Sequence, residues 1–117
     1  MRIHLLLLAP AFLLACGGDS NSPSTPDADV LIVSGAQGKG ANAYDPNPFT
    51  VSLAAGGTVK WGNDDGITHT VTADDVSFNS GSLGSGNTFS HTFLAVGTVT
   101  YHCTIHPTMV GTIQVDP

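Results

Sequence analysis

The stretch that decides the fold lies near the C-terminus, at residues 101–115, and reads YHCTIHPTMVGTIQV. Within it Cys103, His106 and Met109 follow one another at intervals of three residues. A thiolate, an imidazole and a thioether at this spacing can reach one point if the backbone turns between them. Pro107 and Gly111 favour such a turn, because proline fixes its own φ angle and glycine tolerates many backbone conformations. The stretch therefore predicts a loop whose side chains share one ligand.

These side chains form most of a ligand set that favours copper. Two imidazoles and a thiolate in a trigonal plane, with a weak axial thioether, suit both Cu(II) and Cu(I). The second imidazole is supplied upstream by His69, in the segment WGNDDGITHTV. We predict one copper ion with four protein ligands: His69, Cys103, His106 and Met109.

Each ligand has an ordinary alternative role, since a lone histidine, methionine or cysteine is more often a packed core residue. Their combined spacing favours a metal site instead. Zinc is the rival metal, but structural zinc sites use cysteine and histidine and seldom a thioether. Because all four positions are filled by protein, we expect an electron carrier and no enzyme. The alternative is a copper-binding or copper-delivery protein without a redox role, although a donor would need exposed ligands and often several methionines.

The N-terminus has the features of a bacterial lipoprotein. Residues 1–15 form a predicted signal peptide, with a positive Arg2 and an apolar run too short to span a membrane. The run ends in LLAC, so Cys16 is the predicted lipidation site; the alternative is an ordinary signal peptide that contains a cysteine. Residues 16–29 are rich in Gly, Ser, Pro and Asp and predict a flexible linker. Residues 30–117 remain as one domain.

Composition narrows the class of protein. After removal of the signal, two lysines stand against nine aspartates, a net charge near −7. Nucleic-acid phosphates would repel such a chain, which excludes a nucleic-acid partner. Only 10% of residues are charged and glutamate is absent from the sequence, which disfavours helices. We also expect no disulfide, because Cys16 and Cys103 belong to separate motifs.

Short β patterns separated by turn residues fill the domain. Apolar and polar residues alternate from Phe49 to Leu53 and around Trp61, and His69 shares one face of a predicted strand at 68–73 with Val71. Asn63 to Gly66 is a turn signal. Seven or eight such strands predict an all-β fold, an antiparallel β-sandwich with a core around Trp61 and four phenylalanines.

Three segments carry a resemblance to a known family: VKWGNDDGITHTV, FNSGSLGSGNTFSHTFLAVGTVTYHC and CTIHPTMVGTIQV. Together they resemble the cupredoxins, the blue copper proteins typified by plastocyanin, amicyanin and pseudoazurin. The two-residue gap between His106 and Met109 is similar to that of amicyanin. The resemblance implies a Greek-key sandwich, a type 1 copper and electron transfer, with His69, Cys103 and His106 as strong ligands and Met109 as the axial one.

The chain departs from the family pattern after its first histidine. Thr70 stands where many relatives have an asparagine that ties the two ligand loops together beside the cysteine. We expect the hydroxyl of Thr70 to make this link, with Thr104 as its partner. Pro107 has no N–H to offer the cysteine sulfur, which should leave the thiolate with fewer hydrogen bonds.

Other polar residues have weaker assignments. His102 is expected to point outward as a surface side chain, with an electron port as the alternative. His91 shares the inward parity of its strand and is expected to be a rim or buried histidine with a hydrogen bond. The pairs Asp64-Asp65 and Asp74-Asp75 lie in or beside turns, and neighbours in sequence point in different directions. We therefore expect no catalytic role for them.

The expected partners follow from these assignments. Redox proteins of the cell envelope should dock transiently near His106, and lipid on Cys16 should hold the chain to a membrane. We also expect the chain to be exported to the periplasmic or cell-surface side. We expect it to be a monomer.

Overall fold

The computed structural model describes residues 24–117, so the predicted signal peptide, Cys16 and most of the linker lie outside the described residues. Eight strands make up the described part: β1 Val30–Ile32, β2 Tyr44–Asp45, β3 Phe49–Ser52, β4 Thr58–Asn63, β5 Thr72–Ala73, β6 Thr88–Thr92, β7 Gly97–His102 and β8 Val110–Asp116. Its helical elements are three single 3-10 turns, Ala36–Gly38, Gly40–Asn42 and Leu53–Ala55. Across residues 24–117, a helix with the length and apolarity to cross a membrane is not found.

The strands form two four-stranded sheets, ordered β2-β1-β4-β6 and β3-β8-β7-β5. The predicted β-sandwich is confirmed, but a wholly antiparallel arrangement was wrong. β1 pairs with β4 in parallel, and β3 pairs with β8 in parallel. Each parallel pair joins strands that are distant in the sequence, since parallel neighbours cannot be connected by a tight hairpin. Alternation of apolar residues indicates which face is buried and carries no information on strand direction.

The predicted strand at 68–73 is much shorter than expected. Only Thr72 and Ala73 form β5, paired with the end of β7. His69 instead makes an isolated bridge with Leu83, in which each backbone N–H donates to the other's carbonyl, at 3.1 and 2.8 Å. The Ser-Gly loop folds back along this segment, since Ser80 N–H also donates to the carbonyl of Val71 at 2.9 Å. The bridge fixes the backbone of His69 without a long strand.

Aromatic rings fill the space between the sheets. Trp61, Tyr44 and Tyr101 are fully buried, and the Tyr101 ring meets Tyr44 and Trp61 edge to face, with centroids 4.7 and 5.5 Å apart. Phe78 and Phe93 are buried, while the other two phenylalanines of the domain are partly buried against the core. The core around Trp61 was predicted, and the two tyrosines were not.

Two polar atoms in this core lack hydrogen bonds within the described chain: the Tyr101 hydroxyl and the Trp61 indole N–H. Burial raises the pKa of Tyr101, and the neighbouring Trp61 side chain opposes that rise although it lies outside hydrogen-bond geometry. Tyr101 therefore acts mainly through the area that its ring buries.

Gly111 allows β7 and β8 to approach each other at the end of the sandwich that carries Cys103. Tyr101 stands opposite Gly111 in the register of the two strands. A β-carbon on residue 111 would lie only 2.3 Å from Cζ of the Tyr101 ring. Glycine is therefore required by close packing at this position. The two strands lead directly into the loop that holds Cys103 and Met109.

Candidate metal centre

Three predicted ligands converge on one point. Nδ1 of His69 lies 3.8 Å from Sγ of Cys103, and Nδ1 of His106 lies 3.9 Å from the same sulfur. The two Nδ1 atoms are 3.3 Å apart. Ligand atoms that each lie about 2.0–2.3 Å from one ion have separations of this size. The predicted convergence of His69, Cys103 and His106 is confirmed.

The loop after β7 is closed by its own backbone. Cys103 N–H donates to the carbonyl of Met109 at 3.1 Å, and Met109 N–H donates to the carbonyl of His106 at 2.9 Å. Cys103 and Met109 are fully buried, whereas His106 is half-buried. The turn expected around Pro107 is therefore present. It presents the His106 ring between the protein interior and the solvent.

His69 enters the site from the other ligand segment. Its side chain is fully buried, with Nδ1 towards Cys103 and His106. Its other ring nitrogen, Nε2, lies 2.7 Å from a carboxylate oxygen of Asp65. Both ring nitrogens of His69 thus have a partner: Nδ1 faces the ligand cluster, and Nε2 faces a carboxylate.

Sequence reasoning missed Asp65, which was assigned only to a turn. Its side chain is almost fully buried and accepts hydrogen bonds from the backbone N–H groups of Gly35 at 3.1 Å and Gly66 at 2.8 Å. Burial raises the pKa of Asp65, but its hydrogen bonds with His69, Gly35 and Gly66 more than offset this and leave the pKa lowered. Gly35 lies thirty residues away in the chain, so no local pattern marked this aspartate as buried.

Thr70 lies between the two ligand segments. Its backbone N–H donates to Sγ of Cys103 at 3.3 Å, and its hydroxyl oxygen accepts from the N–H of Thr104 at 2.9 Å. The two threonine hydroxyls are 3.2 Å apart. The carbonyl of Thr70 accepts from the hydroxyl of Tyr44 at 2.8 Å. Burial is the main cause of a raised pKa of Tyr44, and the nearby Cys103 and Tyr101 raise the pKa further. The Tyr44 hydroxyl therefore keeps its proton.

His102 and His91 lie outside this cluster. His102 is half-buried, and its Nδ1 lies 2.5 Å from a carboxylate oxygen of Asp74. Hydrogen bonds with Thr100 and then His102 lower the pKa of Asp74. The His91 ring packs against Phe78, with centroids 4.6 Å apart, and partial burial lowers its pKa. Neither histidine contributes to the metal cluster.

The donor set fits copper. Two imidazole nitrogens and one cysteine sulfur, buried and close together, are the in-plane ligands of an electron-transfer copper site. Met109 is the next buried sulfur along the same loop, and its backbone is bonded to both Cys103 and His106.

Comparison with known sequences and structures agrees with this geometry. Residues 32–116 match the family described as copper binding proteins, plastocyanin/azurin family. The chain belongs to this family. Its metal is therefore copper, and the three converging residues are arranged as a site for it.

Solved cupredoxin structures resemble this chain closely. A purple cupredoxin from Nitrosopumilus maritimus is 33% identical, with a TM-score of 0.68, over 77% of this chain and all of that one. A substituted amicyanin in its reduced state is 31% identical, with a TM-score of 0.56, over 62% of this chain and 72% of that one. Another reduced amicyanin variant is 26% identical, with a TM-score of 0.58, over 82% of this chain and 95% of that one. The cupredoxin expected from the sequence is confirmed.

Proposed function

We propose that this cupredoxin is a type 1 copper protein that transfers single electrons between other redox proteins. Bound copper supplies the chemistry, because it alternates between Cu(II) and Cu(I). The observation that carries the proposal is the convergence of two imidazole nitrogens and one buried sulfur within 3.9 Å of one another. Met109 is proposed as the weak axial ligand, because it is fully buried and closes the same loop.

The protein's part in this function is to keep the ligands still. Cys103 is held by one backbone hydrogen bond to Met109, and its sulfur accepts from the N–H of Thr70. Thr70 also bonds to Thr104, which connects the two ligand segments directly. When ligands are held by several hydrogen bonds, their geometry changes little as the site gains or loses an electron. The geometry thus favours rapid transfer in both directions.

Burial favours a carrier over an enzyme or a copper donor. His69, Cys103 and Met109 are fully buried, so with Met109 as a ligand the site offers no open position to a substrate. The same burial should make copper release slow, whereas delivery of copper requires ligands that exchange readily.

Electrons are proposed to enter and leave near His106, the most accessible of the three converging residues. Ile105 is 49% exposed and Pro107 is also exposed, so apolar surface flanks the histidine on both sides in sequence. A small apolar contact suits brief docking of a redox partner.

We propose that the partner is a redox protein of the cell envelope and that lipid on Cys16 keeps the domain near it. Membrane fractionation of wild type and Cys16→Ser tests the anchor, and wild type in the soluble fraction would contradict it.

Electron self-exchange tests the proposed function. Mixed oxidised and reduced protein should show rapid exchange in NMR line widths. Ile105→Lys should slow the bimolecular rate about tenfold by placing like charges across the encounter, at a cost of about 1.4 kcal/mol. Leu94→Lys is the matched control, since Leu94 is 89% exposed and precedes the other end of β7. A copper site that cannot exchange electrons, or equal slowing by both variants, would contradict the proposal.

A further inference from the structure

A buried carboxylate holds the imidazole that comes from outside the ligand loop. Oδ2 of Asp65 lies 2.7 Å from Nε2 of His69, and the two side chains are 9% and 0% exposed. On the opposite side of the ring, Nδ1 faces Cys103 and His106. The hydrogen bond and the ligand contact therefore use different nitrogens of one ring, and each depends on where the ring proton lies.

Asp65 is itself held in place. Its other oxygen, Oδ1, accepts from the N–H groups of Gly35 and Gly66, and its own N–H donates to Oδ1 of Asn63 at 2.9 Å. Nδ2 of Asn63 in turn donates to the carbonyls of Ile67 and Leu83, at 2.8 and 2.9 Å. This arrangement leaves only Oδ2 of the carboxylate for His69. An ionised carboxylate can only accept hydrogen bonds, so the proton between the two groups belongs to Nε2.

We propose that Asp65 is a positioning residue that keeps His69 in the tautomer with Nε2 protonated and Nδ1 free for the metal. The inference rests on the proposed copper function and adds a consequence to it. A fixed negative charge on the ligand's far side favours the more positive Cu(II) form over Cu(I). Asp65 therefore lowers the reduction potential as well as orienting the ring.

Asp64 provides a matched control one residue away. It carries the same charge, but it is exposed to solvent. Its contact in the fold is made by the backbone, since Asp64 N–H donates to the carbonyl of Ile32 at 2.9 Å. Asp64→Asn removes one negative charge near the site without touching His69, and solvent ions screen most of that change. Differences between Asp65→Asn and Asp64→Asn therefore report the hydrogen bond and the buried charge.

The first measurement uses metal-free protein. ¹⁵N NMR of the histidine rings at neutral pH should show His69 with a protonated Nε2 and an unprotonated Nδ1 in wild type and in Asp64→Asn. In Asp65→Asn the amide oxygen can keep the bonds to Gly35 and Gly66, which places the NH₂ group against Nε2–H of His69. Two donors then face each other, so His69 should lose its preference for this tautomer, whereas the His106 ring should not change.

The second measurement uses copper-loaded protein. Removal of a group that supports a metal ligand commonly weakens metal binding 10- to 100-fold. A tenfold weakening of Cu(II) relative to Cu(I) corresponds to a rise of about 59 mV for a one-electron couple. Asp65→Asn should raise the reduction potential by at least that amount, and Asp64→Asn by much less.

The outcomes separate this inference from the function on which it rests. An unchanged His69 tautomer, or potentials that are equal in the two variants, would overturn the role of Asp65. If Asp65→Asn does not fold, wild type alone decides, because a His69 with Nδ1 protonated in the metal-free protein would also overturn it. Failure of wild type to form a redox-active copper site would refute the proposed function, while the NMR result on metal-free protein would still judge the contact with Asp65.

Discussion

Substitution of Gly111 by alanine should destabilise the domain strongly. The new β-carbon would lie 2.3 Å from Cζ and 2.4 Å from the hydroxyl oxygen of Tyr101. Carbon atoms pack at about 3.5 Å or more, so the strands or the ring must move by roughly 1 Å. The ring cannot turn away, because Tyr44 and Trp61 pack against it and it is fully buried.

The magnitude follows from overpacking of a rigid site. Overpacked cores usually lose about 1–3 kcal/mol, and the absence of a flexible neighbour at Gly111 places the loss near the upper limit of about 3 kcal/mol. A loss of this size should lower the melting temperature of a domain this small by about 12–24 °C. The assay is thermal unfolding of metal-free protein, since bound copper would add its own stabilisation.

Gly38→Ala is the control for this experiment. Gly38 is exposed, and a β-carbon there meets no atom within 4 Å. This variant should match wild type or gain up to about 1 kcal/mol, because alanine restricts the unfolded chain. A melting temperature of Gly111→Ala within about 2 °C of Gly38→Ala, well under the shift that 1 kcal/mol produces, would refute the close packing of Tyr101 on Gly111.

Two further predictions concern buried side chains. Tyr44→Phe should lower the free energy of unfolding by about 1–3 kcal/mol, because it leaves the buried carbonyl of Thr70 without its donor. Tyr101→Phe should be neutral or stabilising, because the Tyr101 hydroxyl has no hydrogen-bond partner in the described chain. Urea unfolding of both variants checks this, and equal losses would contradict it. Partial burial lowers the pKa of His91 in the folded protein. Below about pH 6.5, the usual pKa of histidine, the unfolded chain therefore binds a proton at this residue more readily than the folded chain does, and the free energy of unfolding decreases as the pH decreases. His91→Phe keeps the packing on Phe78, and its free energy of unfolding, measured on metal-free protein, should fall less between pH 8 and pH 5 than that of wild type. An identical fall would count against the partly buried setting of His91.

Much of the site could be predicted from the sequence because its ligands are chemically distinctive. Cys103, His106 and Met109 stand on one short loop, and His69 is preceded by a turn signal. No long-range information was needed to propose that these residues meet. Most strands were also predictable, because alternation at Phe49 and Trp61 indicates a half-buried surface.

The remaining features depend on contacts between distant parts of the chain. The carboxylate of Asp65 accepts a hydrogen bond from Gly35, thirty residues away, and the parallel pairing of β1 with β4 joins strands that are separated by two others in sequence. The burial of Tyr44 and Tyr101 follows from how the two sheets meet over Trp61. A short-range pattern cannot contain this information, because Asp65 and Tyr44 look like turn residues in their own segments and alternation around Tyr101 does not show which rings it will meet.

The visible spectrum of the copper-loaded domain tests the central claim most directly. Wild type should become intensely blue, purple or green on addition of Cu(II), from charge transfer between the Cys103 sulfur and the metal, and a mild reductant should bleach it. Cys103→Ser should bind copper without the intense band, because the sulfur is gone. A colourless copper complex of folded wild type, or an intense band that survives in Cys103→Ser, would contradict the account.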